Sequence, residues 1–255
     1  MKPENNNKNE KIRKSVDEFY RKISTDEYKT EISPEEVSSS LGYSEEMMRQ
    51  LPKGADMGLS CGNPLENLEL LEGETLIDLG SGTGKDLFLT RIKYPHSGTL
   101  YGLDSLKEMI TKAEKIRDMK KFENIEFRQG KLISMPFESE SIDKAISNCV
   151  INLEPEKQKV YDELYRILKS GGKFYISDIM LKKDLPCEWR DSEKMHNTWV
   201  GGALPAEELK KIITKAGFKK IMILADEVTD AYAEKWGYGT EIKEYIHRGM
   251  IMGEK

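Results

Sequence analysis

At 255 residues the chain has room for one large α/β domain with elaborations. Its 40 Lys and Arg are scattered among 45 Asp and Glu, giving a net charge of −5 and a pI near 5.5, which argues against a basic face and a nucleic-acid partner. No apolar run approaches the ~18 residues of a membrane span, and the polar start has no signal-peptide core; in the cytoplasmic protein so implied, the three cysteines read as thiols rather than a disulfide framework.

Residues 1 to about 10 are polar and asparagine-rich and read as disordered. Ile12–Ile23 has helical periodicity, with Val16, Phe19, Tyr20 and Ile23 on one face. Ser33-Pro34-Glu35-Glu36 opens a second helix as N-cap, N1 proline and capping box. Tyr43–Leu51 suggests a third, stopped by Pro52, and a loop over 53–64 follows. From Thr75 strand and helix patterns alternate. Strands are predicted at 75–79, 99–103, 125–129, 142–148 and 173–180, and helices at 85–93, 105–119, 156–169 and 205–216. Lys169-Ser170-Gly171-Gly172 reads as a helix stop. Such alternation implies a mostly parallel sheet with helices on both faces. Residues 181–204 break it and suggest a lid or substrate loop, before late strands at 218–223 and 247–252.

The run Glu74-Thr-Leu-Ile-Asp78-Leu-Gly80-Ser81-Gly82-Thr-Gly84-Lys-Asp86 carries the most information. An apolar strand enters a turn with three glycines, where side chains would keep the backbone away from a nucleotide-like ligand. Asp104 ends the next apolar run, Thr99–Asp104, about 20 residues on, where a carboxylate can hold ribose hydroxyls. The turn lacks the G-x-G-x-x-G spacing of dinucleotide folds and the G-K-[ST] of a P-loop. The pattern therefore describes a βαβ unit that grips a ribose-bearing cofactor. In such a sheet ligands bind beyond the carboxyl ends of the strands, where Gly80, Asp104, Gly130 and Cys149 fall.

The D-x-G-x-G-x-G run resembles the first motif of class I methyltransferases that use S-adenosylmethionine. Two further segments, Gly58-Leu-Ser-Cys61-Gly-Asn-Pro64 and Ser147-Asn148-Cys149-Val-Ile-Asn-Leu153, resemble the arsenite methyltransferase family. So do Leu41–Glu46, Leu51–Ala55, Leu168–Gly172, Ile176–Ile179 and Gly201–Leu204, so that the likeness runs from about Val16 to Phe218. It implies a class I Rossmann-like fold in three parts: a tail and capping helices over 1–55, a cofactor-binding core over 56–180, and a substrate loop with closing strands over 181–255. It also implies methyl transfer from S-adenosylmethionine to trivalent arsenic, in arsenic detoxification, supported by an external thiol reductant such as thioredoxin or glutathione. The cofactor residues so implied are Tyr20, Asp78, Gly80, Ser81, Gly82, Gly84, Asp104, Gly130, Lys131, Leu132 and Asn148. Lys131 stands where the family often has an acidic residue.

Thiols suit this chemistry because soft thiolates select a soft centre. They strip arsenic of oxygen and expose its lone pair for attack on a sulfonium methyl. No proton leaves arsenic, so no general base is needed. Cys61 and Cys149 are the implied ligands, expected to converge within thiolate-bridging reach and to join as a disulfide in oxidising conditions, although a single free cysteine is more often a small buried hydrophobe. The family's third cysteine is replaced by Trp199. Two thiolates suffice for an arsenical that already carries a methyl group, and a small free thiol can complete the set for arsenite. Cys187 is a candidate third ligand, carried inward if the loop closes about Pro186 and the Gly201-Gly202 pair. Trp199 would then cover the site. His96, His196 and His247 lack metal-ligand spacing. Asp143 reads as a solvent-facing strand start, and Asp178 is not paired with it as an acid and base. Two alternatives stay open: methylation of another small molecule, such as a quinone precursor, and a binding protein without turnover.

Overall fold

Short apolar runs separated by amphipathic segments build an eight-stranded sheet in the computed structural model of the protein, which describes residues 3–25, 33–190, 192–235, 237 and 239–255. Five strands, β1 (Leu76–Leu79), β2 (Leu100–Asp104), β3 (Ile125–Gln129), β4 (Ile142–Asn148) and β5 (Leu168–Leu181), run parallel in the order β3-β2-β1-β4-β5. All four residues of β1 are buried, as a central strand covered on both faces requires. A two-residue strand, β6 (Leu204–Pro205), pairs with the end of β5. The last two strands, β7 (Lys219–Glu227) and β8 (Ile246–Glu254), are antiparallel, and β8 inserts between β5 and β7.

The helices are α1 (Pro3–Ser24), α2 (Pro34–Ser40), α3 (Glu45–Gln50), α4 (Lys85–Lys93), α5 (Lys107–Lys120), α6 (Lys157–Ile167), α7 (Cys187–Arg190), α8 (Glu193–Asn197), α9 (Ala206–Ala216) and α10 (Asp230–Lys235). Val160 and Leu164 of α6 and Leu209 and Ile213 of α9 pack on Ile77, Leu79 and Ile176 of one sheet face. Phe88 of α4 and Ile110 and Ala113 of α5 pack on Leu76, Leu100 and Ile146 of the other. A third cluster stands beyond the carboxyl ends of the strands and gathers Tyr20, Cys61, Cys149, Trp199 and Tyr232.

The predicted capping box forms: Ser33 accepts from the Glu36 amide, and Glu36 accepts from the Ser33 amide. Several expectations are corrected. Residues 3–10, expected to be disordered, are the first turns of α1, while Met1 and Lys2 lie outside the described residues. The helix predicted over 156–169 ends at Ile167, and β5 starts at Leu168. The glycine pair 171–172 falls where the β4–β5 register shifts between Ile142 and Lys144, so it bends the strand entry rather than ending a helix. Asp143 is no idle surface group: it accepts from the Thr75 amide and the Lys169 ammonium, 2.9 and 2.8 Å away. Residues 181–204 hold α7, α8 and the start of β6.

Candidate active site

Gly80 leaves β1 with φ +73°, and a Cβ there would meet the Val150 side chain at 2.5 Å. The glycine turn and the cysteine segment are thus packed backbone to side chain. The Gly82 amide donates to Asp104 Oδ2 and the Leu106 amide to Asp104 Oδ1, each at 2.9 Å. Asp104 therefore ties the turn to the start of α5. Burial drives its carboxyl up to about 6, against the pull of those amides, and Asp17 adds repulsion.

Tyr20, Asp78, Gly80, Ser81, Gly82, Asp104, Gly130, Lys131, Leu132, Asn148 and Cys149 all line one cavity, with Arg13, Lys85 and Trp199. Gly84 is not in its lining. Its φ is +88°, and a Cβ would strike Phe127 and Phe88 at 2.9 Å, so this glycine serves the packing of α4. The α1 helix forms one wall. Arg13 bonds Glu154 at 2.6 and 2.9 Å and Glu156 at 2.6 Å, and Tyr20 Oη donates to the Asn197 carbonyl at 3.2 Å.

Part of the polar floor of this cavity, formed by Lys85, Ser60, Tyr43 and Asp86, is not among the residues expected from the sequence. Lys85 Nζ, directly after the glycine turn, donates to Ser60 Oγ, lies 3.9 Å from Asp56 Oδ1 and 3.9 Å over the Tyr43 ring. Tyr43 Oη donates to Asp86 Oδ1 at 2.6 Å and Asn148 Nδ2 to Asp86 Oδ2 at 3.1 Å. Asp78 faces the same cavity with no hydrogen-bond donor among the described residues. Burial, then Asp86 and Asp104, push its carboxyl well above the usual range. The Ser81 hydroxyl is buried with no hydrogen-bond partner among the described residues. A carboxylate short of donors beside a buried ammonium fits the ammonium and carboxylate of an amino-acid moiety, and Asp104 fits a ribose, so these residues suit S-adenosylmethionine.

Cys61 and Cys149 meet beside this floor. They are joined as a disulfide with Cα atoms 5.9 Å apart, within ordinary disulfide reach. The default reading as thiols gives way for these two to the expected oxidised alternative, and Cys187 is the free cysteine among the described residues. Cys61 N donates to Asn148 Oδ1 at 3.2 Å, and Cys149 N donates to the Ser177 carbonyl at 2.8 Å. Cys149 has φ +56°, a left-handed backbone that costs about 1–3 kcal/mol. It lines the cavity, whereas Cys61 sits behind it, 1% exposed. Asp178 was set aside in the sequence, yet one carboxylate oxygen and the two sulfurs all lie within 4.8 Å of one another. It accepts from the Ile179 and Asn152 amides at 2.9 and 3.1 Å, and burial drives its carboxyl up to about 7. Burial likewise lowers the nearby Lys157 ammonium to about 8.

Trp199 is buried, with φ +70°. Its ring lies 6.3 Å from that of Tyr20 and 6.2 Å from that of Tyr232. Cys187 is exposed at the start of α7 and is not in the cavity lining, so the third thiolate is not at the site in this conformation. At the Gly201-Gly202 pair, a Cβ on Gly202 would lie 1.9 Å from the Asn152 carbonyl, and one on Gly201 2.8 Å from the His196 amide, so close packing requires both glycines in this conformation. His196 Nε2 sits 3.2 Å from the Leu153 carbonyl and joins no metal-ligand cluster among the described residues.

A methyltransferase-domain family profile matches residues 70–217. An arsenite methyltransferase of Halobacterium salinarum is 36% identical over 218 residues, 86% of this chain and 56% of that protein. One from Aquipseudomonas alcaligenes is 32% identical over 240 residues, 89% of this chain and 68% of that protein. The chain thus spans a little over half to about two thirds of these relatives. Among solved structures, an arsenic(III) S-adenosylmethionine methyltransferase from Chlamydomonas reinhardtii superposes with a TM-score of 0.62 at 25% identity, over 85% of this chain and 72% of that one. With this sheet, this glycine turn and these relatives, the chain belongs to the arsenite methyltransferase family of class I, S-adenosylmethionine-dependent methyltransferases.

Proposed function

We propose that the protein methylates trivalent arsenic held by the Cys61 and Cys149 sulfurs, and that its preferred substrate already carries one carbon substituent. The observation that carries this reading is the convergence of Cys61 and Cys149 at the edge of the cofactor-type cavity, with Trp199 in place of a third thiol. S-adenosylmethionine, when bound, supplies an electrophilic sulfonium methyl group. The residues that would hold it are Asp104 at the ribose, Asp78 and Lys85 at the amino-acid end, and the Gly130–Leu132 turn at the base.

The chain's own residues do the rest by positioning. Two thiols of an external reductant open the Cys61–Cys149 disulfide, and the freed pair takes arsenic in exchange for two hydroxyls, released as water. Coordination by two sulfurs fixes the direction of the arsenic lone pair, and proximity of this kind is worth effective molarities on the order of 10⁵ M or more. Trp199, Tyr20 and the apolar cluster around the cysteines exclude water and leave an apolar wall for the substituent that does not exchange.

The test is an assay of the reduced protein with methyl-labelled cofactor and either arsenite or methylarsonous acid. Label recovered in the dimethylated arsenical, in excess over product from arsenite, is expected. No labelled arsenical from either substrate, or more product from arsenite than from methylarsonous acid, overturns the reading. The Trp199→Cys variant restores a third thiolate on the chain, so its arsenite affinity is expected to rise on the order of tenfold or more, as intramolecular ligation implies.

A further inference from the structure

The far edge of the sheet has a feature unrelated to methyl transfer. Strand β7 ends the sheet and pairs only with β8 among the described strands, so its outer edge presents unpaired amides and carbonyls. The face turned away from α9 runs out of cover here. In register, Tyr175 lies beside Met252 and Met252 beside Met222; Tyr175 is 6% exposed and Met222 is 54% exposed. One row along, Ser177, Met250 and Leu224 repeat the pattern, with Leu224 47% exposed.

The sequence of β7 is Lys219-Lys-Ile-Met-Ile-Leu-Ala-Asp-Glu227: two cations, five apolar residues, two anions. That order is self-complementary when the strand is reversed. An antiparallel pair centred on Ile223 sets Met222 of one copy against Leu224 of the other. It brings the Lys219–Lys220 end of each copy beside the Asp226–Glu227 end of its mate. We propose that β7 is a homodimer interface, in which two copies of this chain join edge to edge about a twofold axis and continue the sheet.

Lysines and a bulge on an edge strand normally deter strand addition, and the β7–β8 register does shift between Lys219 and Met222. A strand without acidic residues at the matching positions would leave those lysines facing no anion, whereas a second copy answers them with carboxylates at both ends. The pattern therefore selects self over non-self, as an isologous contact requires. The existing partners of these charges do not block it. Lys220 bonds Glu254, Asp226 bonds Arg248 and Glu227 bonds Lys182, but the side chains of Lys220, Asp226 and Glu227 remain 73%, 70% and 70% exposed, and such surface pairs exchange at little cost.

The test is the mass of the full chain in solution as a function of concentration, by sedimentation equilibrium. The wild-type chain is expected to double in mass as concentration rises. K219E/K220E and D226K/E227K, each confirmed folded by circular dichroism, are each expected to stay monomeric because like charges then meet at both ends. An equimolar mixture of the two is expected to recover the doubled mass, since every end again meets its opposite. L224K, which removes the apolar contact, is expected to be monomeric alone and with either variant. A wild-type chain that never doubles overturns the proposal. So does a dimer that survives in both charge variants, or a mixture that stays monomeric.

Discussion

In the Cys149→Ser protein, methyl transfer to methylarsonous acid falls by at least roughly a hundredfold, because one remaining sulfur neither holds arsenic nor fixes its lone pair. Cys61→Ser behaves alike, since the two sulfurs act as one ligand set. Cofactor affinity, read by calorimetry, is little changed in either variant, because the polar floor around Lys85, Asp86 and Asp104 stays intact. The reference is the reduced wild-type protein. The disulfide links residues 88 apart in sequence, and such a link by itself adds about 2–4 kcal/mol to stability. Full activity in Cys149→Ser would refute the assigned role.

The second large effect belongs to Asp104. Its oxygens already accept from Gly82 and Leu106, and their remaining lone pairs are what a ribose diol needs. Asp104→Ala is expected to weaken cofactor binding roughly 10- to 100-fold, the worth of one charge-assisted hydrogen bond at about 1.5–3 kcal/mol. A pH dependence accompanies it. In the free protein burial holds this carboxyl at about 6, and only the ionised form accepts from both hydroxyls. Affinity is therefore level above pH 6 and falls as pH drops below it, by up to about tenfold per unit. In Asp104→Ala that slope through pH 6 disappears. A wild-type affinity that stays flat down to pH 5, or a variant that keeps the slope, contradicts the assignment.

How much of this was legible in the sequence follows from the range of the signals. The strands expected over 125–129 and 142–148 match β3 and β4 to the residue; in the first, Ile125 and Phe127 alternate with the polar Glu126 and Arg128, the period of a half-buried strand. That Asp104 meets the Gly80–Gly84 turn follows from spacing, since a βαβ unit sets strand ends at a fixed distance along the chain. Helices α7, α8 and α10 are four to six residues long, too short to show a period. The antiparallel insertion of β8 beside β5 leaves no local mark. Asp178 illustrates the limit best. It stands beside Cys149 only because β4 and β5 pair with Asn148 opposite Ser177, and pairing register across 29 residues is not written in either segment. Lys85 had a signal, its place directly after Gly84, but the cavity was needed to show it facing Asp78 rather than solvent. For Gly84 the motif points to a ligand, and the structure adds a packing reason for the glycine, the nearby rings of Phe88 and Phe127.

The most direct measurement is arsenic K-edge X-ray absorption on the reduced protein loaded with one equivalent of methylarsonous acid. One carbon and two sulfur neighbours on arsenic are expected, unchanged in Cys187→Ser, with the sulfurs lost in the Cys61→Ser/Cys149→Ser double variant. Sulfur coordination that persists in the double variant, or that disappears with Cys187, would contradict that expectation.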